Sequence, residues 1–413
     1  MKNTLILLIC LAFLSCKQKE SKTSTEEKVT TKESKDASQT KKGPGRASFA
    51  EIEAKALKEA YKGIFVENET VENLFPIKAT GISTDTIVKA AKNFLSNLSE
   101  QELKQVQFPI DDNEWRKWSN VDNGVYNRQG ISLKAMTETQ KSTAWTLLQT
   151  SLSAKGLQLT KDIMKTDQTL KELTEELDRF DEELYFLTIM GEPSHTVPWG
   201  WQFEGHHLAI NYFVLGDQIV MSPVFMGAEP VFTTSGKYKG NTVFQDEQNL
   251  GLAFMQSLSK AQQAKATVSN SKTGNNNIAE ANKDNQTLSY QGIQANELDN
   301  NQQKELLSLI AQYVNNIREG HQQIKMEEVT KHMDSTWFSW VGETHEDSVF
   351  YYRIHSPVIL IEFDHQGAIA IKTSGSRDRT PTRNHIHTNV RTPNGNDYGK
   401  DLLRQHIEKH HKH

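Results

Sequence analysis

The sequence predicts an α+β fold, with a helical N-terminal half packed on a twisted, largely antiparallel sheet. Apolar stripes at helical spacing fill residues 84–179, strand-like alternation begins after Glu183, and strands return between Trp337 and Ala370. Ile52–Tyr61 opens the folded region as a helix, with Ala54, Leu57 and Ala60 on one side. Thr84–Leu98 follows, with Ile87, Ala91, Phe94, Leu95 and Leu98 forming a wide stripe. Ser99 and Glu102 have capping-box spacing for a short helix over Glu100–Val106, which Pro109 closes. Leu133–Thr150, Ser153–Lys165 and Thr169–Arg179 read as packed helices.

Leu184–Met190 is strand-like, and Trp199–Leu215 reads as one long strand. Gly216 and Asp217 then turn the chain into Gln218–Phe225. Gln245–Leu258 and Asn301–Glu319 are helical. Trp337–Val341, Val349–His355 and Val358–Phe363 are strands, the last two joined at Ser356–Pro357. The Asn-rich stretch Asn270–Asn285 reads as a peripheral surface insertion, and no internal repeat is visible.

The formal charge of -5 over 413 residues gives no reason to expect a nucleic-acid partner. Lys2 precedes a short apolar run, Leu5–Leu14, which ends in FLSC at Cys16. That ending resembles the lipobox of bacterial lipoproteins, in which the cysteine becomes the lipid-modified first residue. The expected organisation is a lipoprotein signal peptide over 1–15, a disordered tether over 16–45, a single globular domain over 46–407, and a basic His-rich tail over 408–413. A lipid anchor at Cys16 places the protein in the bacterial cell envelope, facing periplasm or exterior. Cys10 falls in the removed segment, so thiol chemistry is excluded.

Chemistry concentrates in three strand-like stretches. In WGWQFEGHHLAIN, Trp199–Asn211, period-two alternation puts Glu204 and His206 on one face and turns His207 toward the aromatic side. NHIHT places His385 and His387 together, and Glu362 and Asp364 share a face of their strand. His206, His385 and His387, with Glu362 and Asp364, form the expected metal site. Without thiols it suits zinc, iron, manganese or copper. Glu204, His207, Arg353 and Arg391 are the expected catalytic groups, with Glu204 the general base. A metal-free acid–base site on Glu204, His207 and Arg353 stays open. His365, beside a Gln-Gly turn, is expected to be exposed. Trp115, Trp118, Trp199 and Trp201 would wall a cleft for a small molecule or glycan, or else cap the core. No phosphate loop, nucleophile elbow or dinucleotide fingerprint occurs.

The runs NFLSNLSEQELKQVQFPIDD, RQGISLKAM, ELYFLTIMGEPS, PWGWQFEGHHLAINY and MSPVFMGAEP are similar to a known bacterial family, domain of unknown function 3500. So are TWFSWVG, FYYRIHSPVILIEFD and NHIHTNVRTPNGNDYGKDLLRQH. The likeness spans about Ala54 to His406. It implies one long domain and supplies no activity or cofactor. The residues alone leave a metal-dependent hydrolase, or a related enzyme, beside a non-catalytic small-molecule or metal-binding lipoprotein.

Overall fold

The computed structural model describes residues 48–66, 71, 73–371 and 379–410. The expected signal peptide, Cys16 and the tether lie outside them, as do residues 411–413 of the tail. The first half runs α1 (Phe49–Leu57), α2 (Asp85–Ser96), α3 (Glu100–Val106), β1 (Gln107–Phe108), β2 (Ile131–Ser132), α4 (Glu138–Ser151), α5 (Ala154–Thr174), β3 (Phe186–Met190), β4 (Trp199–Gly205), β5 (Leu208–Leu215) and β6 (Gln218–Ala228). The second runs α6 (Gln245–Ser257), α7 (Lys260–Ala266), β7 (Thr267–Ser269), β8 (Ile293–Gln294), α8 (Asn300–Val314), α9 (His321–Lys331), β9 (Trp337–Gly342), β10 (Phe350–His355), β11 (Leu360–Gly367) and β12 (Pro381–Arg391), followed by α10 (Lys400–His410). Helices are therefore not confined to the N-terminal half.

Among the described residues, twelve strands make one sheet in the order β1-β3-β4-β5-β6-β12-β11-β10-β9-β7, with β2 beside β3 and β8 beside β9. All pairings are antiparallel except β1 with β3 and β7 with β9. This order has the same sense from either edge, because each half builds the same helix and strand succession and the two meet at β6 and β12. Apart from α1 and α10, the strand order and pairing make the two halves an internal repeat, with a pseudo-two-fold relation between β6 and β12.

Local signals repeat with it. Capping boxes Ser99/Glu102 and Thr137/Gln140 start α3 and α4, and Ser259/Gln262 and Asp299/Gln302 start α7 and α8. Gly130 and Gly292, each in a Gln-Gly-Ile triplet, take φ values of 82° and 95°. A Cβ on either would collide with a carbonyl, of Leu187 in one half and Phe338 in the other. Ile131 pairs with that same Leu187, and Ile293 with that same Phe338.

The two faces of the sheet differ in chemistry. One is aromatic: Trp201 stacks on Tyr212 at 5.0 Å, Trp340 on Phe350 at 4.4 Å and Tyr352 on Phe363 at 5.0 Å. Helices α4, α6 and α8 cover it with Trp145, Phe254 and Tyr313. His365 belongs to this face and is fully buried, not exposed as expected; Phe350 N donates to its Nδ1 at 2.9 Å, and its Nε2 lies 2.9 Å from Gln248 Oε1. The four tryptophans expected to wall a cleft are all buried, with Trp115 Nε1 donating to Ile110 O and Trp118 Nε1 to Tyr398 Oη.

The other face is polar and is covered by coil, residues 109–130 from the first half and 270–292 from the second. Buried coil must find partners for its backbone groups, and side chains of the sheet supply them. Glu362 accepts from Ile278 N and Ala279 N, both at 3.0 Å, and from Tyr351 Oη at 2.7 Å. Asp364 accepts from Asn276 N at 2.6 Å and Asn277 N at 3.1 Å, with Lys272 Nζ 2.9 Å away. The Asn-rich stretch is thus integral, not peripheral. Replacing Asp364 with alanine strands the buried Lys272 charge and two backbone donors. A loss of about 3–5 kcal/mol is expected for such a broken buried pair, read as a large drop in the urea midpoint.

Candidate metal centre

Three imidazoles converge where the start of β12 and the end of β6 meet the β4–β5 turn. His385 Nε2 lies 3.2 Å from His207 Nε2 and 3.0 Å from His387 Nε2. All three residues are buried, and together they form a group able to hold a metal ion. Four-coordinate metals with bonds of about 2.0–2.1 Å set neighbouring ligand nitrogens about 3.4 Å apart, so a few tenths of an ångström of outward movement would admit one.

The outer nitrogens define the tautomers. His385 Nδ1 lies 2.9 Å from the carbonyl of Gly367, which can only accept, so this nitrogen carries the proton. His387 Nδ1 lies 2.9 Å from Glu280 Oε1 and likewise donates to the carboxylate. With both rings neutral, the two Nε2 atoms point lone pairs at each other across 3.0 Å. Burial and the neighbouring imidazoles push His207 and His385 well below the ordinary histidine range, and a bound cation would relieve that contact. Carboxylate–histidine contacts of the Glu280 kind recur behind metal ligands because they fix ring and tautomer.

The histidine that joins the pair is His207, where the strand alternation had assigned His206. Trp199–Leu215 is not one strand: His206 and His207 form a two-residue turn between β4 and β5, and His207 adopts a left-handed φ of 57°. Side-chain alternation stops at such a turn. His207 N donates to Asn120 O, and its carbonyl accepts from Gly227 N at 2.8 Å, which holds the turn against β6. His206 goes the other way, its Nδ1 2.6 Å from Asp167 Oδ1 and its ring stacked on His207 at 3.8 Å between centroids. Tyr185 Oη donates to the second Asp167 oxygen at 2.8 Å. Asp167, His206 and His207 form a second close group, but the short bond from His206 to Asp167 already occupies the pair.

The remaining expected site residues lie elsewhere on the polar face. Glu362 and Asp364 bind the covering coil as described, although Asp364 is the cross-strand neighbour of His387. Arg353 Nη2 donates to Ser289 O and Gln291 Oε1. Arg391 donates to Ala279 O, Glu280 O, Asp284 and Asp397, and its guanidinium lies 5.5 Å from the Trp118 ring centroid. Both arginines are engaged by structural partners, Arg391 through all three guanidinium nitrogens and Arg353 through Nη2. Glu204 is also apart from the imidazoles, accepting from Ser119 N at 3.3 Å beside Arg128 Nε at 3.3 Å.

Sequence reasoning missed Glu280, Asp167, Glu229 and Gly227. Asp167 carried a legible signal: with Ile163 and Leu170 it falls on the apolar stripe of α5, which runs unbroken through the interruption expected near residue 167. Glu229, 3.8 Å from His385 Nδ1, accepts the N–H groups of Ile369, Ala370 and Ile371. Nothing in the letters around Glu280 marks it.

Fold and site together define an α+β protein whose buried histidine cluster is able to coordinate a metal ion. The family model described as Protein of unknown function (DUF3500) matches residues 80–400, and the chain belongs to that family. Neither the curated proteins nor the solved structures gave a match.

Two outcomes follow from this geometry. A Cβ at Gly227 would stand 2.9 Å from Ile386 O, 3.0 Å from His387 Cδ2 and 3.3 Å from His207 Cδ2, so Gly227→Ala should shift β12 and its histidines and lower metal affinity by about 10–100-fold, the scale of lost second-sphere order, while circular dichroism keeps its native shape. Burial raises Glu204 to about 7, against about 4.3 for an unfolded glutamate. Its contribution to stability is full below the unfolded value and is lost as pH rises through about 7. Melting temperatures of Glu204→Gln should therefore decline less than those of the parent between those two pH values; parallel curves would contradict the assignment.

Proposed function

We propose that the chain is a lipid-anchored metalloprotein of the bacterial cell envelope, facing periplasm or exterior. In this reading His207, His385 and His387 hold one divalent zinc, iron, manganese or copper ion. The protein acts as a metal-dependent hydrolase, or a related enzyme, on a small extracytoplasmic molecule. The observation that carries the reading is the contact of two lone-pair nitrogens, His385 Nε2 and His387 Nε2, at 3.0 Å.

Among the described residues that group offers three imidazoles and no fourth protein ligand. Three protein ligands with a place for water are the arrangement of catalytic zinc, whereas structural zinc is enclosed by four. When bound, the metal would supply an acidified water or a polarised substrate oxygen. The chain's own groups orient the ligands: Glu280 holds His387, Gly367 O holds His385, and the Asn120 and Gly227 backbones hold the His207 turn. A non-catalytic metal-binding lipoprotein is the second reading, and the burial of every imidazole favours it.

Metal analysis of protein made without an added histidine tag decides the first part. Close to one equivalent per chain is expected, falling below about a tenth in His385→Ala, as loss of an inner ligand exceeds the 10–100-fold cost of an outer one. Parent protein that stays metal-free after growth with these metals supplied would refute the reading. Turnover of activated ester or phosphoester substrates, abolished by chelation and restored by metal, supports the enzyme. A loaded protein without turnover supports the binding protein.

A further inference from the structure

The internal two-fold axis relates the histidine centre to a second place in the molecule. That centre lies where the start of β12 and the end of β6 meet the β4–β5 turn. The same operation points to where the start of β6 and the end of β12 meet the β10–β11 turn. Ladder register names the equivalent residues. Phe213 pairs with Val220 as Asp364 pairs with His387, so Val220 occupies the position of His387. Gln218, two residues earlier, occupies that of His385. Glu204 pairs with Ala209 as His355 pairs with Leu360, which makes Val358 the counterpart of His207.

None of these counterparts is a metal ligand. Val220 and Val358 have no side-chain donor. The Gln218 amide is engaged with backbone, accepting from Lys78 N at 2.8 Å and donating to Pro76 O at 3.1 Å. This end holds a cleft of about 320 Å³ instead, within the range of small-molecule sites. Phe75, Val220, Met221 and Ile324 give it an apolar lining. Lys325 Nζ stands among them, donating to Val358 O at 2.8 Å and to Glu328 Oε1 at 2.9 Å, 5.9 Å from the Phe75 ring centroid. An ammonium has three protons, so one remains for a ligand. Lys78 and Lys331 add positive charge to the lining, and Glu327 and Glu328 oppose it.

We propose that this cleft binds a small organic anion, an apolar chain or ring ending in a carboxylate, with the carboxylate on Lys325 and the apolar body against Phe75 and Val220. The site is separate from the histidine centre and does not depend on that centre holding metal. A single exposed lysine would not define such a ligand. The inference rests on a half-buried ammonium with an uncommitted donor, set in an apolar cleft of ligand size.

Calorimetric titration of the full chain with octanoate, and with 1-octanol as its uncharged counterpart, tests this. Saturable octanoate binding at least tenfold tighter than octanol binding is expected. Lys325→Gln should erase the tenfold preference while leaving the far-ultraviolet spectrum unchanged. Val220→Trp, which fills the cleft, should abolish binding of both probes. His385→Ala should leave octanoate affinity as in the parent, which separates this site from the metal centre. Equal affinity for the two probes, non-saturable uptake, or an undiminished preference in Lys325→Gln would each overturn the proposal.

Discussion

The structure depends on how buried coil is satisfied. A sheet with helices on one face and irregular chain on the other must offer hydrogen-bond partners to every backbone group that the irregular chain buries. Here β11 and β12 offer them from acidic and basic side chains. Glu362 and Asp364 each accept two consecutive backbone amides, and Arg391 donates to two consecutive carbonyls. Asp284 then ties the two covering segments together, accepting from Arg116 Nε at 2.8 Å and from Arg391 Nη1 at 2.9 Å. The charged residues that give the sheet its polar face are thus largely its means of holding a lid of coil in one conformation.

That arrangement explains how much of the site was legible. Alternation identified which residues share a face, and it correctly put Glu362 with Asp364 and His385 with His387. It could not say what would lie over that face. An acid on a buried strand reads the same whether it meets a cation or a pair of backbone amides, and Glu362 and Asp364 meet amides. The histidine assignment failed for a different reason. Alternation holds only while the backbone stays extended, and the left-handed φ of His207 ends it at the position that mattered. One residue of turn sets His207 against His385 and turns His206 to Asp167.

The repeat was hidden because what the halves share is backbone conformation more than letters. Helix starts, a Gln-Gly-Ile triplet and ladder registers recur. Side chains that bear chemistry do not: Glu204 corresponds to His355, Asn211 to Glu362, and Val220 to His387. The two halves kept the scaffold and diverged on the polar face, so one end of the central strand pair holds imidazoles and the other a lysine in an apolar cleft. The Asn-rich segment looked peripheral by composition, yet it is the counterpart of residues 109–130 and carries Glu280 to His387.

The meeting of the halves at β6 and β12 also bears on how the molecule is made. β6 closes the first half and lies at the middle of the sheet, but its partner β12 is, among the described strands, the last to be synthesised. Until then the first half presents a long, largely apolar strand with unpaired amides and carbonyls along one side. A nascent chain in that state can pair with the same strand of a sister molecule, and domain exchange is the characteristic hazard of such duplicated architectures.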